Sequence, residues 1–273
     1  MSEAAARTAE AEPLLLREDK GGVARLTMNR PKQRNALSEE LMRALTAEIG
    51  AIAADPSIRV VVLGGAGPAF CAGHDLKELT AARSGADRGR AFFARTMQLC
   101  STLMQAIVNC PKPVIARVHG IATAAGCQLV ASCDLAIAVE EAKFATPGVN
   151  IGLFCSTPMV ALSRNVTRKH AMEMLLTGEM ISATRAHEMG LVNRVVAAEA
   201  LDAEVAQLAD LIASKSALTV SIGKKAFYEQ LEKPLADAYA YASEVMVTNM
   251  LARDAEEGIG AFIEKRDPKW EDR

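Results

Sequence analysis

The stretch "ATAAGCQLVASCD" (122–134) sets small residues ahead of an amphipathic run, with one uncharged amide, Gln128, at its centre. A second small-residue loop, "GGAGPAFCAGHDLKEL" (64–79), carries His74. Small residues leading into a helix let a ligand come close to backbone N–H groups, and the helix start adds positive field. Two such loops can each aim an N–H at one point, which is the arrangement that stabilises a developing oxyanion. The residues alone leave both loops readable either as plain turns or as halves of one site. Gln128 cannot take or give a proton at neutral pH, so such a site would bind charge without an obvious acid or base.

Other chemistries lack their residues. "GAGPAF" has no third glycine and does not open directly into a helix, so it is a poor dinucleotide loop. Neither GxxxxGK[ST] nor GxSxG occurs, which argues against a P-loop and a serine-hydrolase elbow. His74, His119, His170 and His187 do not cluster at metal-ligand spacing, so no metal is expected. The six cysteines contain no CxxC pair and sit mostly in apolar stretches, which reads as reduced, buried thiols.

The elements that must position these loops follow from the hydrophobic pattern. "GVARLTMN" (22–29) alternates as a strand stopped at Arg30-Pro31, and "SEELMRALTAEIGAIAAD" (38–55) has helical spacing with Ser38 as N-cap. "IRVVVLGGAG" (58–67), "VIARVHG" (114–120) and "LAIAVE" (135–140) read as buried strands, with a long helix at 92–110 ended by "PKP". The two loops thus follow buried strands, at the strand ends where open parallel sheets gather chemistry. From about residue 160 the pattern turns helical. The expected organisation is a loose start over 1–12, an α/β core over 13–205 and a helical region over 206–273.

At 273 residues, half of them hydrophobic, the chain can bury a large core. A net charge of -2 with scattered basic residues gives no nucleic-acid footprint. No apolar run reaches membrane-spanning length, so no membrane partner is expected. Glu3, Glu10 and Glu12 in the opening segment argue against a transit peptide, and the expectation is a cytoplasmic protein.

Five segments in order, from about residue 14 to 270, carry a family resemblance: "GPAFCAGHDLKEL", "KPVIARVHGIATAAGCQLVASCDLAIA", "FATPGVNIGL", "LLTGEMISATRAHEMGLVNRVV" and "EGIGAFIEKRDPKW". Together they resemble the crotonase (enoyl-CoA hydratase/isomerase) superfamily. The resemblance implies a crotonase-like spiral ββα core with a C-terminal helical trimerisation region, assembling as a homotrimer or as a hexamer of two trimers. It implies an acyl-CoA thioester as substrate, no other cofactor, and an oxyanion hole from the backbone N–H groups of His74 and Ala125. By the same resemblance, Lys32 and Arg34 are candidates for the CoA phosphates and the backbone near Ala72 and Leu76 for the adenine. Phe262 and Lys265 of a neighbouring subunit would complete the site.

Hydratases of this family hold water between two glutamates, which fall here at Gln128 and Gly148. Positioned acid–base groups contribute about 10²–10⁴ in rate, so their loss puts the usual hydration in doubt and makes restoring both glutamates the expected way to raise it. For Gln128 the first-ranked role is satisfying nearby backbone groups; orienting water or binding a substrate carboxylate come after. Asn150 is an orienting candidate, though a turn role suits it better, and Cys155 reads as a buried thiol. The open alternatives are an acyl-CoA decarboxylase, a thioester hydrolase, and a non-catalytic acyl-CoA-binding oligomer.

Overall fold

A computed structural model describes residues 12–273, so the loose start expected over 1–12 lies outside the described residues apart from Glu12. The strands are β1 (Leu15–Lys20), β2 (Val23–Met28), β3 (Val60–Gly65), β4 (Ala69–Cys71) and β5 (Val114–Val118). They continue as β6 (Ile121–Thr123), β7 (Leu135–Val139), β8 (Lys143–Ala145), β9 (Ile181–Ser182) and β10 (Arg194–Val196). Helices α1 (Glu39–Ala54), α2 (Leu76–Ala82), α3 (Arg90–Asn109), α4 (Ala125–Ser132), α5 (Pro158–Asn165) and α6 (Arg168–Thr177) lie between and after them. The chain ends in α7 (Ala183–Glu188), α8 (Leu201–Ala213), α9 (Ala217–Gln230), α10 (Leu235–Met250) and α11 (Arg253–Glu264).

Two sheets form the core. The first has the order β1-β2-β3-β5-β7-β10 and is parallel except for the β1–β2 hairpin. The second, β4-β6-β8-β9, is built from very short strands. The chain repeatedly runs through a long strand of the first sheet, a short strand of the second and then a helical turn: β3-β4-α2, β5-β6-α4, and β7-β8 into a 3₁₀ turn at Pro147–Ile151. This is the spiral ββα core. Every residue of β3 is buried, as a central parallel strand covered on both faces requires.

The local rules that form these elements are visible. Ser38 caps α1, its hydroxyl accepting the Leu41 N–H at 3.2 Å, and Leu41, Leu45, Ile49 and Ile52 make the buried stripe. In α3 the buried face carries Thr96, Cys100, Leu103 and Ile107. The short strands of the second sheet escape sequence reading because two or three residues are too few for an alternation. The run 158–178, which reads as one helical stretch, breaks at Val166, whose backbone is extended (φ −115°, ψ 161°).

The expected boundary at 205/206 falls inside α8. That helix buries Leu201, Val205 and Ala209 and packs on the first sheet. The structural break follows it, where α9 departs at 102°. A buried polar cluster fastens α9 to the core: Lys224 Nζ donates to Asp134 Oδ2 at 2.7 Å and to the carbonyls of Ile107 and Lys112, and the Tyr228 hydroxyl donates to Asp134 Oδ1 at 2.9 Å. Among the described residues no single helix is long and apolar enough to cross a membrane.

Candidate active site

Parallel pairing of β4 with β6 (Ala69 opposite Ile121, Cys71 opposite Ala122) carries the two small-residue loops out side by side. In the first, Leu37 pairs with His74 as a parallel bridge: the Leu37 N–H donates to Gly73 O at 2.7 Å and the Asp75 N–H to Leu37 O at 3.1 Å. A residue bridged through its neighbours' groups turns its own N–H to the opposite side. The second loop comes in against this one at Gly73, where a Cβ would lie 2.9 Å from Ala124 Cβ and 3.5 Å from Ala125 N.

The second loop enters α4 through Ala124, whose φ of 50° and ψ of −119° lie where glycine is favoured. Ala125 is the first residue of α4, so its N–H has no intrahelical acceptor. Gly126 admits no substitute, because a Cβ there would stand 2.0 Å from Cys71 O. This contact holds the α4 start against the end of β4. Ala124 is fixed from its other side by donating its N–H to Ala145 O at 2.9 Å.

Of the two positions expected for glutamates, one is buried and the other closed. Gln128 is buried, and among the described residues the one hydrogen bond of its side chain is from Cys100 Sγ to Oε1 at 3.6 Å. It therefore does not satisfy backbone groups as first expected; the neighbouring Ser132 hydroxyl, not the amide, bonds the Gln128 carbonyl. At Gly148 a Cβ would lie 2.7 Å from Leu153 O and 2.9 Å from Cys155 Sγ, and the Gly148 N–H points at that sulfur at 3.3 Å. Position 148 is thus filled by the returning 153–155 segment. Asn150 donates its amide to Gly178 O at 3.3 Å, tying the 3₁₀ turn to the end of α6, a turn-fixing contact rather than one with Gln128.

The electrostatics are those of buried groups. Burial pushes the Cys71, Cys100 and Cys127 thiols up to about 12 and raises Cys155 as well, so none is a ready thiolate. Burial lowers the His74 pKa, and a backbone interaction with Leu37 only partly opposes it. Among the described residues neither ring nitrogen meets a partner in full hydrogen-bond geometry, the Leu37 contact falling short of it, and Thr146 Oγ1, on a residue with no exposed surface, has none. Sequence reasoning passed over Thr146, because a lone threonine beside a proline carries no signal. Among the described residues no group of three or more His, Cys, Asp or Glu gathers as a metal site.

The remaining candidates sit in two places. Asn35, fully buried, accepts from Arg30 N and donates to Ala66 O and Ala69 O, folding the 30–38 loop against the start of β4. The Ala72 N–H then donates to Arg34 O at 3.0 Å, bringing exposed Lys32 and Arg34 beside Ala72 and Leu76. Asp75, capping α2 and paired with Arg30 at 2.9 Å, completes this corner; burial raises its carboxyl, but the bonds from Arg30 and Lys77 N outweigh it and hold the pKa below the usual range. Phe262 and Lys265 are not gathered there. They lie on and just after α11, which packs on α9 and α10, and Phe262 is 85% exposed.

The family model described as enoyl-CoA hydratase/isomerase matches residues 18–273. The rat enoyl-CoA hydratase domain-containing protein 3, named as mitochondrial, is 48% identical over 96% of this chain and 86% of its own length. The solved enoyl-CoA hydratase of Mycobacterium smegmatis is 53% identical with a TM-score of 0.91, covering 95% of this chain and 99% of that one. The solved human enoyl-CoA hydratase domain-containing protein 3 is 47% identical with a TM-score of 0.90, over 94% of this chain and all of that one. The cytoplasmic expectation is corrected by these comparisons: the rat and human relatives are named mitochondrial, so acidic residues in the opening segment do not support a cytoplasmic assignment.

Proposed function

Because this chain belongs to the enoyl-CoA hydratase/isomerase family, we propose that it binds an acyl-CoA thioester and stabilises the oxyanion or enolate formed from its carbonyl through the backbone N–H groups of His74 and Ala125. The observation that supports this reading is that the two loops lie together: Gly73 stands against Ala124 and Ala125, the bonds to Leu37 come from Gly73 and Asp75 and not from the His74 N–H, and Ala125 stands at the unsatisfied start of α4. Two preorganised donors act where the charge develops and need no reorganisation; one such donor is worth about 10²–10³ in rate. The α4 dipole adds to the Ala125 donor. No metal is required, since the donors are backbone groups.

Lys32 and Arg34 hold the CoA phosphates by charge, and the backbone at Ala72 and Leu76 receives the adenine. A homotrimer, alone or paired into a hexamer, brings Phe262 and Lys265 of a neighbouring subunit to this corner. The exposed apolar side chains Leu251, Phe262 and Ile263 support such an assembly. Water addition to an enoyl-CoA is weak, because Gln128 cannot transfer a proton and position 148 has neither side chain nor room for one.

A panel of saturated acyl-, enoyl- and malonyl-type CoA esters, incubated with the protein and followed by mass spectrometry, tests this. Binding of several esters with little water adduct is the expected outcome. Rapid hydration of an enoyl-CoA contradicts it.

A further inference from the structure

We infer that a pocket on the α8 side of the first sheet binds a phosphate group, free or at the end of a phosphomonoester, through Arg25, Thr27 and Arg117. It is separate from the proposed acyl-CoA site and does not depend on that reading.

Strand register brings these side chains together. Arg25 stands opposite Val62 and Thr27 opposite Gly64, and the pairing of β3 with β5 continues to set Gly64 beside Arg117. A Cβ on Gly64 would lie 3.7 Å from Arg117 Cδ. Alternate residues of a strand share a face, so Arg25, Thr27, Gly64 and Arg117 all face α8, and Gly64 leaves the space between Thr27 and Arg117 open. Asp202, in the first turn of α8, closes one side, and these residues line a cavity of about 200 Å³. The next residue, Gly65, faces the other way, where a Cβ would meet Asn35 Nδ2 at 2.6 Å. The pocket therefore lies across the sheet from the loop that carries Lys32 and Arg34.

Within the pocket two guanidinium groups meet one carboxylate. Arg117 holds Asp202 by two bonds, Nε to Oδ1 at 2.6 Å and Nη2 to Oδ2 at 3.1 Å. Arg25 comes only within 4.0 Å of the same carboxylate, and among the described residues neither its guanidinium nor the Thr27 hydroxyl makes a hydrogen bond. Glu18 is opposite Arg25 across the β1–β2 hairpin but forms no ion pair with it. The next cation in the row of Arg117, Arg194, is matched by Glu204 at 3.1 Å. The start of α8 adds its own positive field to the surplus.

Guanidinium forks hold carboxylates and phosphates alike. Donors from Arg25, Thr27 and Arg117 surround the space, and a tetrahedral phosphate has acceptor oxygens for all three, whereas a planar carboxylate has two. Asp202 already supplies a carboxylate, and its side chain is 67% exposed, so it can turn into solvent when a dianion takes its place on Arg117.

The test titrates inorganic phosphate, glycerol phosphate and acetate into the full-length protein, read by calorimetry and by the thermal midpoint. Wild type should bind phosphate saturably with a Kd of about 1 mM or tighter and melt at a higher temperature in its presence than in chloride of equal ionic strength. The tighter of the two phosphates identifies the source, free ion or monoester. Arg25→Met keeps the apolar stem and should weaken binding about tenfold or more, and Thr27→Val about threefold, with acyl-CoA binding unchanged in both. Asp202→Asn removes the competing charge and should tighten it. Absence of saturable phosphate binding, an unchanged affinity in Arg25→Met, or acetate bound as tightly as phosphate overturns the proposal. Displacement of the phosphate by saturating acyl-CoA overturns its separateness and so the site.

Discussion

A glutamate placed at Gly148 would bring its Cβ within 2.7 Å of the Leu153 carbonyl oxygen and 2.9 Å of the Cys155 sulfur. The clash is with backbone as well as side chain, so it cannot be relieved by a rotamer change. Gly148→Glu, alone or with Gln128→Glu, should therefore destabilise the protein by about 2 kcal/mol, as overpacking does, instead of raising hydration as the sequence alone suggests. A urea midpoint lowered accordingly, with hydration unchanged, is the expected result; a fully stable, newly active double variant contradicts the packing account. The sequence showed that the two carboxylates are missing, but not that position 148 is closed, because Leu153 and Cys155 return to it through the turn at Gly152. Likewise His74 and Gln128 were legible as residues of interest, whereas Thr146 was not, since its lack of a partner exists only once the chain is folded.

At the scale of elements, α9 is held by side chains more than by a buried apolar face. No residue of α9 is fully buried, yet Lys224, with its side chain 7% exposed, and Tyr228 converge on Asp134, 15% exposed. Burial first, and then Asp134, raises the Tyr228 pKa, so the phenol stays a donor across the physiological range. Asp134→Ala would leave the Lys224 ammonium buried without its carboxylate, which costs about 3 kcal/mol. Chemical denaturation should show that loss, with α9 amides exchanging faster than those of β3; an unchanged midpoint contradicts it. The long elements of the first sheet, α1 and α3 were legible because each has enough residues for its period to show. The short strands β4, β6 and β8 were not, although they are what carries the two small-residue loops into register.

At the scale of the molecule, the C-terminal helices leave Leu235, Leu251, Phe262 and Ile263 more than 70% exposed, apolar surface that suits the proposed assembly. Sedimentation should find a trimer or its dimer, and Phe262→Asp with Ile263→Asp should dissociate it and weaken acyl-CoA binding together. A monomeric wild type contradicts this assembly. The family segments were readable in the sequence over almost the whole chain, whereas the proposed joining of subunits was readable only as an implication of that resemblance. The proposed function rests on one arrangement, a thioester carbonyl held by the N–H groups of His74 and Ala125. The most direct test is the infrared stretch of an isotope-labelled carbonyl in a bound acyl-CoA. A clear shift to lower frequency than in free acyl-CoA is predicted, because two backbone donors polarise the bond; an unshifted band in a saturated complex would contradict the account.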